Sequence, residues 1–295
     1  VALALILREL SEHGGFTVAS LAHLNHRLRV TAARDEQFCR DFANRIGFPI
    51  VIDSVDVHTY AREQRLSIED AARRVRYAFL HRVAADVNAD RIALGHTRDD
   101  QAETFLLKLV RGAGLTGLGG IYPRNGAVIR PLLDVSRADL RQYLGSTGQE
   151  WMDDESNEDI ENPRNRIRHN VLPELDRAYG PAAPAIARAA GLAREDAQWL
   201  DEVALSRYRE LGVETPERVE FDANRLREEP LPLRRRVVLQ GLRTVARGRE
   251  VGLDHVEAAL SVLTGECAAT EAPASRVELR RGKLVLIGQS SRERG

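Results

Sequence analysis

Apolar and polar positions alternate in blocks through the first half of the chain, and their spacing predicts the elements. Val1 to Leu10 carries apolar residues at helical spacing, and Phe16 to Leu24 reads as a strand. Ala32 to Ile46 predicts a helix and Ile50 to Val55 a strand. Ile68 to Val87 predicts a long helix with Ser67 as its N-cap, and Arg91 to Leu94 a buried strand finishing at Gly95. Such alternation implies an α/β fold, a parallel sheet with helices on both faces. Asn25, His96 and Asp100 all follow predicted strand ends, where ligands bind in open parallel sheets.

The pattern changes further on. Ser136 to Tyr143 starts a helix, with Ser136-x-x-Asp139 as a capping pattern. Gly180-Pro181 and Pro184 mark a break. Ile186, Leu192, Trp199, Leu200 and Val203 then keep helical spacing from Ala185 to Leu211, which reads as a connecting helix. Leu233 to Ala246 and Asp254 to Leu263 predict two more helices, and Val277 to Leu279 with Leu284 to Ile287 a closing hairpin. The organisation expected is residues 1–180 as an α/β domain, 181–212 as a connecting helix, and 213–295 as a small, mainly helical α+β domain. Trp151 and Trp199 are expected in the core.

Composition narrows the classes. The chain has 295 residues, enough for one large or two ordinary domains, and its hydrophobic fraction of 43% with 29% charged is ordinary for a globular protein. No apolar run approaches a membrane span, and the apolar start lacks the pattern of a signal peptide. Cys39 and Cys267 are isolated, which supports neither a metal knuckle nor a disulfide framework, and a reducing cytoplasm is expected. His23, His26 and His96 lack a nearby carboxylate or Cys partner with zinc spacing. Net charge is −1, so any nucleic-acid contact must rest on local arginine patches. Arg234, Arg235 and Arg236 form one such patch, readable as a solvated helix face or as a phosphate contact.

Two segments carry the candidate chemistry. Leu94 to Gly120 reads LGHTRDDQAETFLLKLVRGAGLTGLGG. Thr97 is a candidate N-cap, and Ala102, Phe105, Leu106 and Leu109 form the predicted core stripe. Asp100 and Glu103 lie three apart and off that stripe. Asp100 fits both a ligand-facing carboxylate and a capping arrangement with Thr97, whereas Glu103 has no capping task. The glycines from Gly112 to Gly120 let backbone approach an anion, or they form only a C-cap and a turn. The second segment, Asn162 to Asn170, places Pro163 in a first helical turn, with Arg164 and Arg168 on one face and Arg166 flanking them. Planar guanidinium forks suit phosphate.

These segments, in this order, resemble the tRNA(Ile)-lysidine synthetases of the N-type ATP pyrophosphatase superfamily. The resemblance rests on His23-Leu-Asn-His-Arg-Leu-Arg29, Glu69 to Tyr77, His96 to Thr104 and Arg111 to Gly120. Arg130-Pro-Leu-Leu133, Trp151 with Asp154-x-Ser156-Asn157, and Arg164 to Arg168 complete it. It covers about residues 1 to 175 strongly. It implies an adenine nucleotide alpha-hydrolase-like fold and a ligase using ATP, free L-lysine and a tRNA(Ile) with a CAU anticodon. The products are lysidine, AMP and pyrophosphate, formed through an adenylated cytidine.

By the same resemblance, Asp100, Glu103, Arg76 and Arg168 are the expected catalytic residues. Asn25, His26, His96, Thr97, Arg111, Gly112 and Gly114 are expected at the nucleotide. Arg164, Arg166 and Arg234 to Arg236 are expected at tRNA. Mg²⁺ is expected with ATP, with Asp100 and Glu103 as its candidate ligands. A homodimer stays open. One motif departs: the superfamily's S-G-G-x-D-S loop is absent. Val1 to Leu10 resembles the helix that follows that loop, so the sequence is expected to lack an N-terminal strand and loop, and to be inactive as it stands. A thiolase-like relative acting on tRNA, or a non-catalytic tRNA-binding homologue, are the alternatives.

Overall fold

The computed structural model describes residues 1–28, 32–152, 160–215 and 217–289. They divide into two compact units, Val1–Ala193 and Arg194–Gly295. Arg29, and Asp154, Ser156 and Asn157, fall outside the described residues.

In the first unit the predicted alternation forms. Helix α1 (Ala2–Ser11) precedes β1 (Leu21–Asn25), so the strand begins later than its apolar run suggested. Helix α2 (Ala32–Ile46), β2 (Ile50–Ser54), α3 (Val57–Gln64) and α4 (Ile68–Asp86) follow. Asp56 caps α3 and Ser67 caps α4 by accepting backbone N–H groups. Strands β1 and β2 pair in parallel from Leu21↔Ile50 to Asn25↔Ser54, so both end at one edge. Strand β3 (Ile92–Ala93) pairs in parallel with β5 (Val128–Ile129), which also takes β4 (Arg124–Asn125) antiparallel.

Helix α5 (Arg98–Val110) leaves the end of β3. Its buried residues are Gln101, Ala102 and Glu103, and Leu109 is 48% exposed, so the apolar stripe predicted there is only partly the buried face. The short α6 (Leu115–Leu118) lies in the glycine-rich loop, and α7 (Arg137–Ser146) starts from a Ser136–Asp139 capping box. Helix α8 (Pro163–Arg166) passes through a π-helical turn, Ile167–Val171, into α9 (Leu172–Tyr179). Ala102, Ile167 and Leu172 form one buried cluster, which fixes α8 and its π turn beside α5. Helix α10 spans Ala182–Leu211.

The second unit contains β6 (Gly212–Thr215), β7 (Arg218–Asp222), α11 (Ala223–Glu228), α12 (Leu231–Val245) and α13 (Leu253–Thr264). Strands β8 (Ala269–Ala272), β9 (Ser275–Arg280) and β10 (Lys283–Gly288) close it. The predicted hairpin is the β9–β10 pair of an antiparallel sheet ordered β6-β7-β10-β9-β8. Its core includes Phe221, Leu226, Leu242, Leu263, Leu284 and Leu286, all fully buried. At Gly241 an added Cβ would stand 3.0 Å from Phe221, so this glycine lets α12 approach the sheet closely.

Neither tryptophan is a core residue: Trp151 is 36% and Trp199 64% exposed. Trp199 keeps helical spacing, but its position falls on the outer face of α10. No described helix is long and apolar enough to cross a membrane.

Candidate active site

Thr97 begins the site. Its side chain accepts the Asp100 N–H at 3.3 Å, while Asp100 Oδ2 accepts the Thr97 N–H at 2.7 Å and hydroxyl at 2.9 Å. This capping box occupies one carboxylate oxygen and leaves the other to Arg137 and Arg164. The capping reading of Asp100 is the one the structure shows. One turn on, Glu103 is fully buried in a place where an isolated charge would be costly.

Three arginines answer that charge. Arg168 donates through Nε to Glu103 Oε1 at 2.7 Å and through Nη2 to Oε2 at 3.0 Å. Arg164 Nε donates to Glu103 Oε2 at 2.7 Å, and its Nη2 to Asp100 Oδ1 at 3.1 Å. Arg137 Nη2 lies 3.2 Å from Glu103 and 3.3 Å from Asp100. Burial alone would raise both carboxyl pKa values. The Thr97 hydrogen bonds and Arg164 outweigh it at Asp100, and Arg168 and Arg164 outweigh it at Glu103, so both end below their ordinary values. The Arg168 pKa is raised in turn, because its Glu103 bonds outweigh its own burial.

Arg137 is the residue that the motifs did not single out. It stands at the first position of α7, and its backbone N–H is held by Asp99 at 2.7 Å. The available signal was the basic residue inside the Ser136–Asp139 capping pattern, next to the Arg130 to Leu133 motif.

Beside this cluster, His96 Nδ1 accepts a hydrogen bond from Arg130 Nε at 3.2 Å. Burial, followed by the charges of Arg130, Arg164 and Arg76, outweighs Asp100 and lowers the His96 pKa to about 4, so the ring is neutral at pH 7. Arg76 belongs to α4, and the protein packed around its head group, followed by the charges of Arg73 and Arg164, pushes its pKa downward. It stays cationic, as arginine does in proteins.

The expected nucleotide residues do not all gather. Arg111, Gly112 and Gly114 lie beyond the far end of α5, and the eleven residue steps from Asp100 to Arg111 rise about 16 Å along the helix. The Gly112 N–H is already bonded to Leu109 O. The loop returns at its other end, where buried Gln101 donates to Gly119 O at 3.0 Å and accepts the Ile121 N–H at 2.6 Å. Gly120 has φ +66, and an added Cβ there would stand 2.7 Å from Gln101. Asn25 holds the turn after β1, accepting the Arg27 N–H and donating to Glu36. His26 follows it at the same edge. Arg166 turns away from Glu103 and donates to Ile160 O.

Arg234, Arg235 and Arg236 all have partners within the second unit. Arg234 donates to the backbone oxygens of Arg227 and Glu229, Arg235 to Glu257 and Arg236 to Asp201.

The acidic pair does not fit a directly bound magnesium ion. Its oxygens face three guanidinium groups, and a small hard cation with short oxygen bonds would have to displace them. The same contacts make Glu103 a weak proton acceptor. What the arrangement offers is anion binding: Arg76, Arg130, Arg137, Arg164 and Arg168 outnumber Asp99, Asp100 and Glu103.

The family model ATP_bind_3, described as a PP-loop domain, matches residues 1–175. The chain is similar to tRNA(Ile)-lysidine synthase of Geobacter sulfurreducens, 38% identical over 271 residues, covering 90% of this chain and 56% of that protein. A Thermus thermophilus protein of the same name is 40% identical over 255 residues, covering 84% and 48%. The chain thus spans about half the length of the curated relatives it matches. Among solved structures, the U34-tRNA thiolase NcsA from Methanococcus maripaludis with its [4Fe-4S] cluster shares the fold. Its TM-score is 0.52 at 16% identity, covering 66% of this chain and 67% of that one. Because the family match takes in more than half of its residues, the chain belongs to the PP-loop domain family.

Proposed function

We propose that the chain is the synthetase part of a tRNA(Ile)-lysidine synthase, a ligase that joins lysine to C2 of the wobble cytidine at the expense of ATP. The observation that carries this reading is the Asp100–Glu103 pair holding Arg137, Arg164 and Arg168 at the end of a parallel strand.

The reaction needs an α-phosphate held for attack by the cytosine O2, with pyrophosphate departing. The lysine amine then attacks C2, loses a proton, and AMP departs with the former O2. Positive charge is needed where phosphate charge moves, and a preorganised guanidinium cluster supplies it without reorganisation. Glu103 supports this by holding Arg164 and Arg168 in place. Asp100 supports it with its other carboxylate oxygen, Oδ1, on Arg164 and Arg137. Magnesium accompanies ATP in such chemistry generally, and no step here passes through it. An unpaired anticodon base reaches such a site more cheaply than one flipped from a duplex.

A thiolase-like reading has less support. The chain has two cysteines, one in each unit, and an iron–sulfur cluster is held by a set of thiolates.

The test is nucleoside mass spectrometry of a tRNA(Ile) transcript after incubation of the full-length protein with ATP and lysine. Lysidine at the wobble position is expected. An unmodified wobble cytidine with a folded, nucleotide-binding protein would overturn the reading.

A further inference from the structure

His96 sits against groups from several elements. Arg76 and Tyr77 belong to α4, Asp100 to α5, Arg164 to α8, and Arg130 follows β5 directly. Arg130 is buried, with 7% of its surface exposed, and its partners are neutral acceptors. Nε donates to His96 Nδ1 at 3.2 Å, Nη1 to Tyr122 O at 2.6 Å, and Nη2 to Tyr77 Oη at 3.2 Å. Three contacts on one rigid fork fix its orientation.

A guanidinium N–H can only donate. Nδ1 of His96 must therefore be the unprotonated nitrogen, and in a neutral ring the proton is on Nε2. Nε2 has no protein partner among the described residues. A donor beside Arg76 and Arg164 lies in a field that favours an anionic acceptor over a carbonyl.

We propose that Arg130 locks His96 as the Nε2-protonated tautomer, making it a one-way hydrogen-bond donor to a phosphate oxygen of the nucleotide. In this role His96 is neither a general base nor a source of positive charge. Arg130 is a positioning residue acting through it. The assignment of the acceptor rests on the nucleotide reading of the site. The tautomer lock does not.

Long-range ¹H–¹⁵N spectra of the full-length protein, labelled at histidine and arginine, test both parts. The His96→Gln spectrum identifies the His96 signals. The expected spectrum at pH 7 shows a protonated Nε2 and a bare Nδ1, unchanged down to pH 5. In Arg130→Met the two tautomers should mix and the ring should titrate closer to 6.5. A protonated Nδ1 in the native chain, or a ring that titrates near 6.5 with Arg130 present, overturns the lock even if the variant fails to fold. AMP is then added, with adenosine as the control lacking phosphate. AMP should shift the Nε2–H signal and adenosine should not. A shift at Arg164 and Arg168 with His96 unmoved overturns the donor role. Failure of AMP to bind at all overturns the nucleotide reading and the acceptor with it, while the free-protein spectrum still decides the tautomer.

Discussion

Arg168 meets Glu103 with both arms of its fork, Nε at 2.7 Å from Oε1 and Nη2 at 3.0 Å from Oε2. The pair joins two segments 65 residues apart, and Glu103 is fully buried within it. Taking the charge from Glu103 leaves three guanidinium groups around a neutral amide. Breaking a buried pair costs about 3–5 kcal/mol. Glu103→Gln should therefore lower the melting transition of the first unit by roughly 6 to 12 °C, the response of a domain of this size to a loss of about 3 kcal/mol. Arg168→Ala should cost less, because Arg137 and Arg164 still pair with Glu103. Differential scanning calorimetry checks the order, and equal melting temperatures for all three proteins would contradict the buried pair.

The acid response follows from His96. Its pKa falls from 6.5 to about 4 in the folded chain, so the unfolded chain binds the extra proton first. The stabilisation is fully present above 6.5 and is lost as pH falls towards 4. At 1.36 kcal/mol per pH unit the interval corresponds to roughly 3 kcal/mol. The lowered pKa values of Asp100 and Glu103 act in the same direction, their contribution fading as pH falls below the ordinary carboxylate range. Urea unfolding at pH 7 and pH 5 should show a loss of stability that His96→Gln reduces. An unchanged difference in that variant would remove His96 as its source.

The glycine loop depends on its return to Gln101. Gly120→Ala combines a left-handed φ of +66 with a Cβ 2.7 Å from the Gln101 amide. A cost of about 1–3 kcal/mol is expected, against less than about 0.5 kcal/mol at exposed Gly114, whose φ is −74 and whose added Cβ would meet nothing. Unfolding midpoints of the two alanine variants decide it, and equal costs would show that the Gln101 clamp is weak.

Much of this site was legible because local chemistry set it. Thr97, Ser67 and Ser136 read as caps from a hydroxyl three residues before an acid, and the folded chain uses them so. The grouping of Asp100 and Glu103 with Arg168 came through the resemblance, since no local rule joins segments that far apart, whereas Arg164 was expected at tRNA and is bonded to both carboxylates instead. Arg137 was missed for the same reason: its partners are across the fold. The strands β6, β7 and β8 were also missed. They are short, and β6 shows the alternation of a half-exposed edge weakly. Arg111, Gly112 and Gly114 were grouped with the nucleotide by motif order, yet thirteen residues of helix separate them from the strand end.

The arginines of α12 give a further discriminating case. Arg234 satisfies backbone oxygens at the end of α11, whereas Arg235 pairs with half-exposed Glu257. Arg234→Ala should cost about 1–2 kcal/mol. Arg235→Ala should cost less than about 1 kcal/mol, as surface pairs do. If tRNA affinity falls for Arg235→Ala while its melting temperature holds, that arginine has a phosphate contact besides its ion pair. If stability alone changes in both variants, these arginines serve the fold.

The central claim is that the arginine cluster organised by Glu103 is where lysine is joined to tRNA with ATP. Single-turnover transfer of radiolabelled lysine to a CAU-anticodon tRNA(Ile), by the full-length protein and its Arg168→Ala variant, tests it most directly. The account predicts label in tRNA that requires ATP, and a loss of at least about a hundredfold in rate for the variant, the scale of removing one preorganised group that stabilises transition-state charge. Wild-type rates from a folded Arg168→Ala protein, or no ATP-dependent label from the native one, would contradict it.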